Sequence, residues 1–119
     1  MSEESRAGSW SSTDSADLYR IEAWGQGYFA ISAHGHLLVR PNADGEAEID
    51  LLEVVEGLGA RDLSPPLLIR FSDILAHRLG TLRGAFASAI AEYDYRGRYL
   101  AAYPIKVNQQ RPVVEEVFR

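Results

Sequence analysis

Residues 101 to 110 read AAYPIKVNQQ and place the one lysine of the sequence, Lys106, near the end of an apolar, strand-like run. The arginines of the chain keep their protons at any relevant pH and cannot serve as amine nucleophiles. Lysine can, because its free pKa of about 10.4 falls when the amine is desolvated. Lys106 is therefore the candidate for covalent chemistry in this chain.

The flanking segments predict alternating strands and helices. The predicted order is strand, helix, strand, helix, over residues 67 to 71, 72 to 93, 99 to 107 and from Pro112 onward. Ser72 is expected to cap the long helix. Such alternation predicts an α/β fold with parallel strands, since each crossover helix returns the chain to the same end of the sheet. Lys106 would then lie at the carboxyl end of a strand, where such sheets gather their chemistry.

A proline in the second predicted strand and an apolar stripe on the long helix lead to two further predictions. Pro104 cannot donate a ladder hydrogen bond, so its strand is expected at a sheet edge or locally bulged. The long helix carries an apolar stripe that should be buried, formed by Leu75, Leu79, Leu82, Phe86, Ala89 and Tyr93.

An imine with an aldehyde is the reaction open to a desolvated lysine, and pyridoxal phosphate is the usual aldehyde cofactor. From the residues alone, a solvent-exposed lysine without a catalytic role is an open alternative, because lysines at the ends of strands mostly reach into solvent.

The first part of the chain predicts a short helix and a β-hairpin. Residues 1 to 12 are expected to be flexible, and a helix capped by Ser12 or Thr13 follows. Residues 28 to 32 and 36 to 40 read as two strands around Gly35, which can take the positive φ of a hairpin tip. The predicted division is a flexible N-terminus (1 to 12), a helix with a hairpin (13 to 48) and an α/β region (49 to 119).

A helix-start signature opens the third of these regions. Asp50 and Glu53 form an acidic version of the capping box, so a helix should begin at Asp50. It should stop at Gly59 in a left-handed conformation.

Two weaker patterns have ordinary structural explanations. His34 and His36 would lie on one face of a strand, as paired metal ligands do, but an exposed hairpin tip fits them better. Gly25 and Gly27 resemble a phosphate loop, but no helix opening or Lys-Ser/Thr pair follows them. We predict no metal ligand in the chain.

Composition excludes several classes of partner. The formal net charge of -5 argues against nucleic-acid binding. No run approaches the roughly 20 apolar residues needed to span a bilayer. The absence of cysteine fits a reducing compartment, so a cytoplasmic location is the expectation.

Several ordered motifs resemble those of the biosynthetic arginine decarboxylases, within the wider class of ornithine, diaminopimelate and arginine decarboxylases and alanine racemase. The likeness runs along nearly the whole chain. It is carried by WGQGYF (24 to 29), GHL (35 to 37), VRP (39 to 41), DLL (50 to 52), LSPPLLIRFSDI (63 to 74) and YPIKVNQQR (103 to 111).

This resemblance implies a pyridoxal-phosphate enzyme that converts arginine to agmatine and carbon dioxide in polyamine biosynthesis. It implies that residues 49 to 119 begin a (β/α)8 barrel and that the hairpin belongs to an accessory β-domain. Lys106 would be both the catalytic and the cofactor-binding residue, while Asn108 and Gln109 would either line the site or cap the next helix. Magnesium and a homo-oligomer are also implied.

The resemblance also sets a limit. The phosphate-binding glycines, the acidic partner of the pyridine nitrogen and the substrate contacts of the family are not matched in this chain. We therefore expect an N-terminal fragment that is inactive alone. The alternative is a non-catalytic α/β remnant or interaction module.

Overall fold

The computed structural model describes residues 9 to 119. The first eight residues of the predicted flexible N-terminus lie outside this range. The chain divides into two compact units, a first unit of residues 1 to 67 and a second unit of residues 68 to 119. The elements are α1 (Ser12–Leu18), α2 (Ile21–Gly25), β1 (Phe29–Ile31), β2 (Leu37–Val39), β3 (Ile49–Asp50), α3 (Leu51–Gly59), α4 (Ser72–Glu92), a single 3-10 turn (Ile105–Val107) and α5 (Arg111–Val117).

An antiparallel sheet organises the first unit. Its strand order is β1-β2-β3, with Phe29 opposite Val39 and Val39 opposite Ile49. The predicted hairpin is confirmed, and Gly35 at its tip has a φ of +83°. That angle is open to glycine at no steric cost.

The core of the first unit lies on one side of β2. Val39 is completely buried, and Ile21 of α2 and Tyr28 are buried beside the sheet. The ring of Trp24 lies 5.0 Å from that of Phe29, so α2 packs on β1 through an aromatic pair.

Side-chain caps begin two helices of the first unit. Ser11, rather than the predicted Ser12 or Thr13, caps α1 and forms a reciprocal capping box with Asp14. The Asp50 carboxylate accepts hydrogen bonds from the backbone N–H groups of Leu52 and Glu53, which confirms the predicted start of α3. Each cap satisfies N–H groups that have no partner inside the helix.

The end of α3 differs from its prediction. Gly59 is the last helical residue and is not left-handed; instead Asp62 takes the left-handed conformation, with a φ of +61°. The N–H of Leu63 donates to the carbonyl of Leu58, and that of Asp62 donates to the carbonyl of Gly59. These two bonds form a Schellman ending, and Asp tolerates the left-handed position because its short polar side chain bonds locally.

Two packed helices dominate the second unit, where α5 lies against α4. The predicted long helix is confirmed, but Phe71 takes the N-cap position and Ser72 is the first helical residue, without a side-chain cap. Pro112 lies in the first turn of α5, as predicted, because its missing N–H has no intrahelical role there.

The two strands predicted on either side of α4 do not form. Residues 67 to 71 and 99 to 107 belong to no strand, and the sheet of the described residues is antiparallel and lies in the first unit. The backbone is extended at Phe71 and at Pro104, so the local conformation suits a strand. A strand also needs a hydrogen-bonded neighbour, and these segments have none. The chain is α/β in content, but the predicted parallel pairing is wrong for this structure.

The predicted burial of the α4 stripe is also wrong. Leu82 and Phe86 are exposed, and Tyr93 is 77% exposed. Phe86 stacks on Tyr99, with ring centroids 4.2 Å apart, but no residue of the second unit is fully buried. Within this unit α4 has too few neighbours to cover its apolar side chains.

No helix among residues 9 to 119 is both long enough and apolar enough to cross a membrane.

Candidate functional site

Lys106 lies at the centre of the 3-10 turn, and its side chain is exposed. The N–H of Val107 donates to the carbonyl of Pro104 at 2.9 Å and closes the turn. The expected place at the end of a paired strand is therefore wrong for this structure. Pro104 acts as the cap before the turn, a position that uses its carbonyl and needs no N–H. We call residues 103 to 108 the Lys106 turn.

A side-chain hydrogen bond spans the same turn. The Tyr103 hydroxyl donates to the backbone carbonyl of Asn108 at 3.2 Å. Both residues are half-buried, whereas Lys106 between them is exposed. The two ends of the Lys106 turn are thus joined by a hydrogen bond.

Polar contacts continue from the turn to α5 and to the segment before α4. The side-chain oxygen of Asn108 accepts from the N–H of Gln110 at 3.1 Å. The side chain of Gln110 in turn accepts a hydrogen bond from Arg70, 40 residues earlier in the chain. Asn108 does not cap α5, since Gln110 holds the N-cap position and makes no side-chain cap bond.

Arginine charge near the turn is partly compensated. Arg111 donates to the Glu115 carboxylate at 2.6 Å, one helical turn along α5. Both side chains are exposed, so solvent screens this ion pair.

An open cavity of the second unit does not include Lys106. It measures about 540 Å³ and lies between α4, residues 99 to 101 and the end of α5, with Leu79, Arg83, Tyr99 and Phe118 in its wall. It is open and largely apolar, and it offers no amine for carbonyl chemistry.

The hairpin tip holds a contact that sequence reasoning missed. His34 is exposed, as predicted, but His36 is half-buried and its Nδ1 lies 2.7 Å from Asp50 Oδ2. An ionised carboxylate only accepts, so this nitrogen carries the proton. Spacing along the chain gave no signal of the pairing, because the antiparallel register of β2 and β3 brings the two residues together.

This His–Asp pair alters the acid strength of Asp50. The hydrogen bond from His36 lowers the pKa of Asp50, and the N–H groups of Glu53 and Leu52 act in the same direction, while partial burial opposes them. Across residues 9 to 119 no group of three or more His, Cys, Asp or Glu side chains could hold a metal ion. The pair therefore joins the hairpin to the start of α3.

The chain is similar in sequence to proteins of one class of lyases, the decarboxylases. No protein-family model matches it. The curated proteins that it matches include biosynthetic arginine decarboxylase 2 of Synechocystis sp., at 57% identity over 111 residues, or 93% of this chain and 17% of that protein. The biosynthetic arginine decarboxylase of Gloeobacter violaceus is 54% identical over 108 residues, or 91% of this chain and 17% of that protein.

A third relative extends the match slightly. The biosynthetic arginine decarboxylase of Thermosynechococcus vestitus is 47% identical over 114 residues, or 96% of this chain and 18% of that protein. The resemblance predicted from the sequence is confirmed. The chain spans about 17% of the length of the curated relatives that it matches.

Proposed function

We propose that this chain is a segment of a pyridoxal-phosphate-dependent arginine decarboxylase, a carbon–carbon lyase that converts arginine to agmatine and carbon dioxide. The observation that carries the proposal is the 47 to 57% identity to proteins of that name over more than nine tenths of the chain. The substrate would be arginine, and the product would enter polyamine biosynthesis.

Lys106 is the residue that we assign to the cofactor. Lys106 is exposed in this structure, so an aldehyde has access to it and no other lysine in the chain competes. The desolvation that favours imine formation would have to come from the rest of a longer polypeptide. These properties fit the covalent anchor of pyridoxal phosphate. When bound, that cofactor supplies an electron sink for the bond that breaks at the substrate. The described residues support this one role, and the phosphate and substrate contacts are expected in the rest of a longer polypeptide.

The fold of that longer protein is part of the proposal. Residues 67 to 71 and 99 to 104 would become parallel strands of a (β/α)8 barrel that begins at residue 49, once neighbouring strands supply ladder partners. Residues 13 to 48 would belong to an accessory β-domain. The extended backbone at Phe71 and Pro104 supports this transition. A homo-oligomer, a magnesium requirement and a cytoplasmic location are further proposals that follow the family resemblance.

Covalent trapping tests the assignment. The full-length protein would be mixed with pyridoxal phosphate, reduced with borohydride and digested for peptide mass spectrometry. We expect the label on Lys106, and we expect Lys106→Ala to lose both the label and arginine decarboxylation. A label elsewhere, or full activity in Lys106→Ala, would contradict the proposal.

A matched control separates a built site from general amine reactivity. Arg96→Lys adds a second exposed lysine ten residues before Lys106. If the site is specific, Lys106 is labelled in this variant at many times the level of the added lysine. Equal labelling of Lys106 and the added lysine would show that pyridoxal phosphate reacts with any exposed amine and that Lys106 is not part of a specific site.

The chain on its own is expected to be inactive. Purified as 119 residues, it should release no carbon dioxide from arginine, because residues that bind the cofactor phosphate and the substrate are missing from the proposed site. Turnover by the isolated chain would show that the site is complete within it. If the full-length protein also lacks cofactor binding, the alternative of a non-catalytic α/β interaction module is favoured.

A further inference from the structure

The Lys106 turn is a weak element by its length alone. It contains three 3-10 residues and one backbone hydrogen bond, from Val107 to Pro104. Such turns have poor hydrogen-bond geometry and are stable only in short pieces with outside support. The side chain of Lys106 is exposed, and Val107 beside it is 73% exposed, so packing of the lysine itself does not fix the turn.

The support comes from the tyrosine three residues before the lysine. The hydroxyl of Tyr103 reaches past the turn to the carbonyl of Asn108, five residues away in sequence. Val107 to Pro104 and Tyr103 to Asn108 are therefore nested hydrogen bonds, one inside the other, with Lys106 within both loops. Breaking the outer bond separates the Tyr103 hydroxyl from the far end of the segment that carries the amine.

The outer bond is also connected to the rest of the second unit. Asn108, whose carbonyl accepts from Tyr103, binds the N–H of Gln110 through its side chain, and Gln110 binds Arg70. The hydroxyl of Tyr103 thus fixes the turn to a residue that is held at the start of α5 and at the segment before α4. Within the described residues the hydroxyl makes its hydrogen bond to Asn108 and not to Lys106, so any effect on the amine would act through the turn.

We propose that Tyr103 is a positioning residue for Lys106, and that its hydroxyl holds the turn in the conformation that presents the amine to an aldehyde cofactor. This inference rests on the proposed function for the identity of the cofactor. The hydrogen bond on which it depends is independent of that function.

The first measurement uses amide hydrogen exchange on the 119-residue chain without any cofactor. Tyr103→Phe removes one oxygen and keeps the ring. Loss of one net hydrogen bond should speed exchange of the Val107 amide by about threefold to tenfold. Tyr93→Phe is the matched control, because that hydroxyl has no hydrogen bond within residues 9 to 119 and the same atom is removed. Equal exchange at Val107 in the two variants would overturn the inference.

The second measurement follows the chemistry in the full-length protein. The rate of borohydride-trapped labelling by pyridoxal phosphate is measured at Lys106 and, as an internal reference, at the N-terminal amine. Tyr103→Phe should slow labelling of Lys106 by about threefold to tenfold relative to that reference, while Tyr93→Phe should not. Faster exchange at Val107 with unchanged labelling would show a purely structural tyrosine and would also overturn the inference.

A conservative replacement guards against a folding defect. 4-Aminophenylalanine at position 103 keeps an N–H donor near the same place, so it should restore both readouts toward wild type. Failure of this rescue would count against the hydroxyl as the cause. The proposed function fails separately, if wild-type Lys106 takes no label at all, and in that case the exchange measurement alone decides whether Tyr103 holds the turn.

Discussion

The two units of the chain differ in how they reach stability. The first unit closes a three-stranded sheet over buried side chains, with Val39 completely out of solvent. The second unit has a longer helix, yet each of its residues is at least partly exposed. Side chains of similar apolar character are thus buried in one unit and left in water in the other. The difference teaches that helix formation is local, whereas burial depends on how many neighbouring elements are present.

The largest effect is expected in the core of the first unit. Val39→Ala removes two carbon groups from a completely buried site, so the free energy of unfolding should fall by about 2 kcal/mol. Urea titration followed by circular dichroism measures the change. Val107→Ala, at an exposed site in the second unit, is the control and should stay within about 0.5 kcal/mol of wild type. Equal losses at both sites would erase the contrast between the units.

Acid should weaken the first unit through Asp50. Its pKa is lowered in the folded state by His36 and by backbone donors, so its stabilising contribution is present above the usual carboxyl pKa of about 3.9 and is lost as the pH falls through the lowered value. Asp50→Asn should lower the melting temperature at pH 7 and flatten its dependence on pH below about 4. Asp17→Asn, on α1, should follow the wild-type curve. If the melting temperature of Asp50→Asn depends on acid pH as that of the wild type does, the His–Asp pair does not contribute to the stability of the first unit.

Two glycine substitutions should change the free energy of unfolding in opposite directions. Gly84 lies in α4 with open space where a Cβ would be, so Gly84→Ala should stabilise the helix by up to about 1 kcal/mol. Gly35 also has open space but a φ of +83°, so Gly35→Ala should destabilise the hairpin by about 1 kcal/mol. Thermal unfolding of both variants gives the two signs. A destabilising Gly84→Ala would mean that the face of α4 is covered in solution.

The smallest effect is expected for the ion pair on α5. Arg111 and Glu115 are both well exposed, so Glu115→Gln should change the free energy of unfolding by less than about 0.5 kcal/mol. The difference should vanish in 1 M salt, because salt screens exposed charges. A salt-independent loss would show that the pair supports packing rather than charge alone.

Sequence reasoning succeeded where the signal is local. Gly35 marked the hairpin tip, Asp50 marked the start of α3, and Pro112 marked the first turn of α5. Each of these residues acts through its own backbone angle or side-chain reach. Their neighbours in sequence were enough to place them.

The predictions that failed depend on partners elsewhere. Residues 67 to 71 have the composition of a strand, but pairing decides whether a strand exists. The hydrogen bond between His36 and Asp50 arises from the register of β2 and β3, which cannot be read from the sequence around either residue. The chemistry of its amine was enough to single out Lys106, whereas the nested hydrogen bonds of its turn are evident only from the three-dimensional structure.

The unpaired segment LLIRF at residues 67 to 71 has a consequence for the behaviour of the chain in solution. An apolar run that is not paired in a sheet is a template for intermolecular β-pairing, and Leu68 within it is largely exposed. Arg70 places a positive charge in the middle of the run, where it acts as a gatekeeper against aggregation. We therefore expect the solubility of the isolated chain to fall when that guanidinium group is removed.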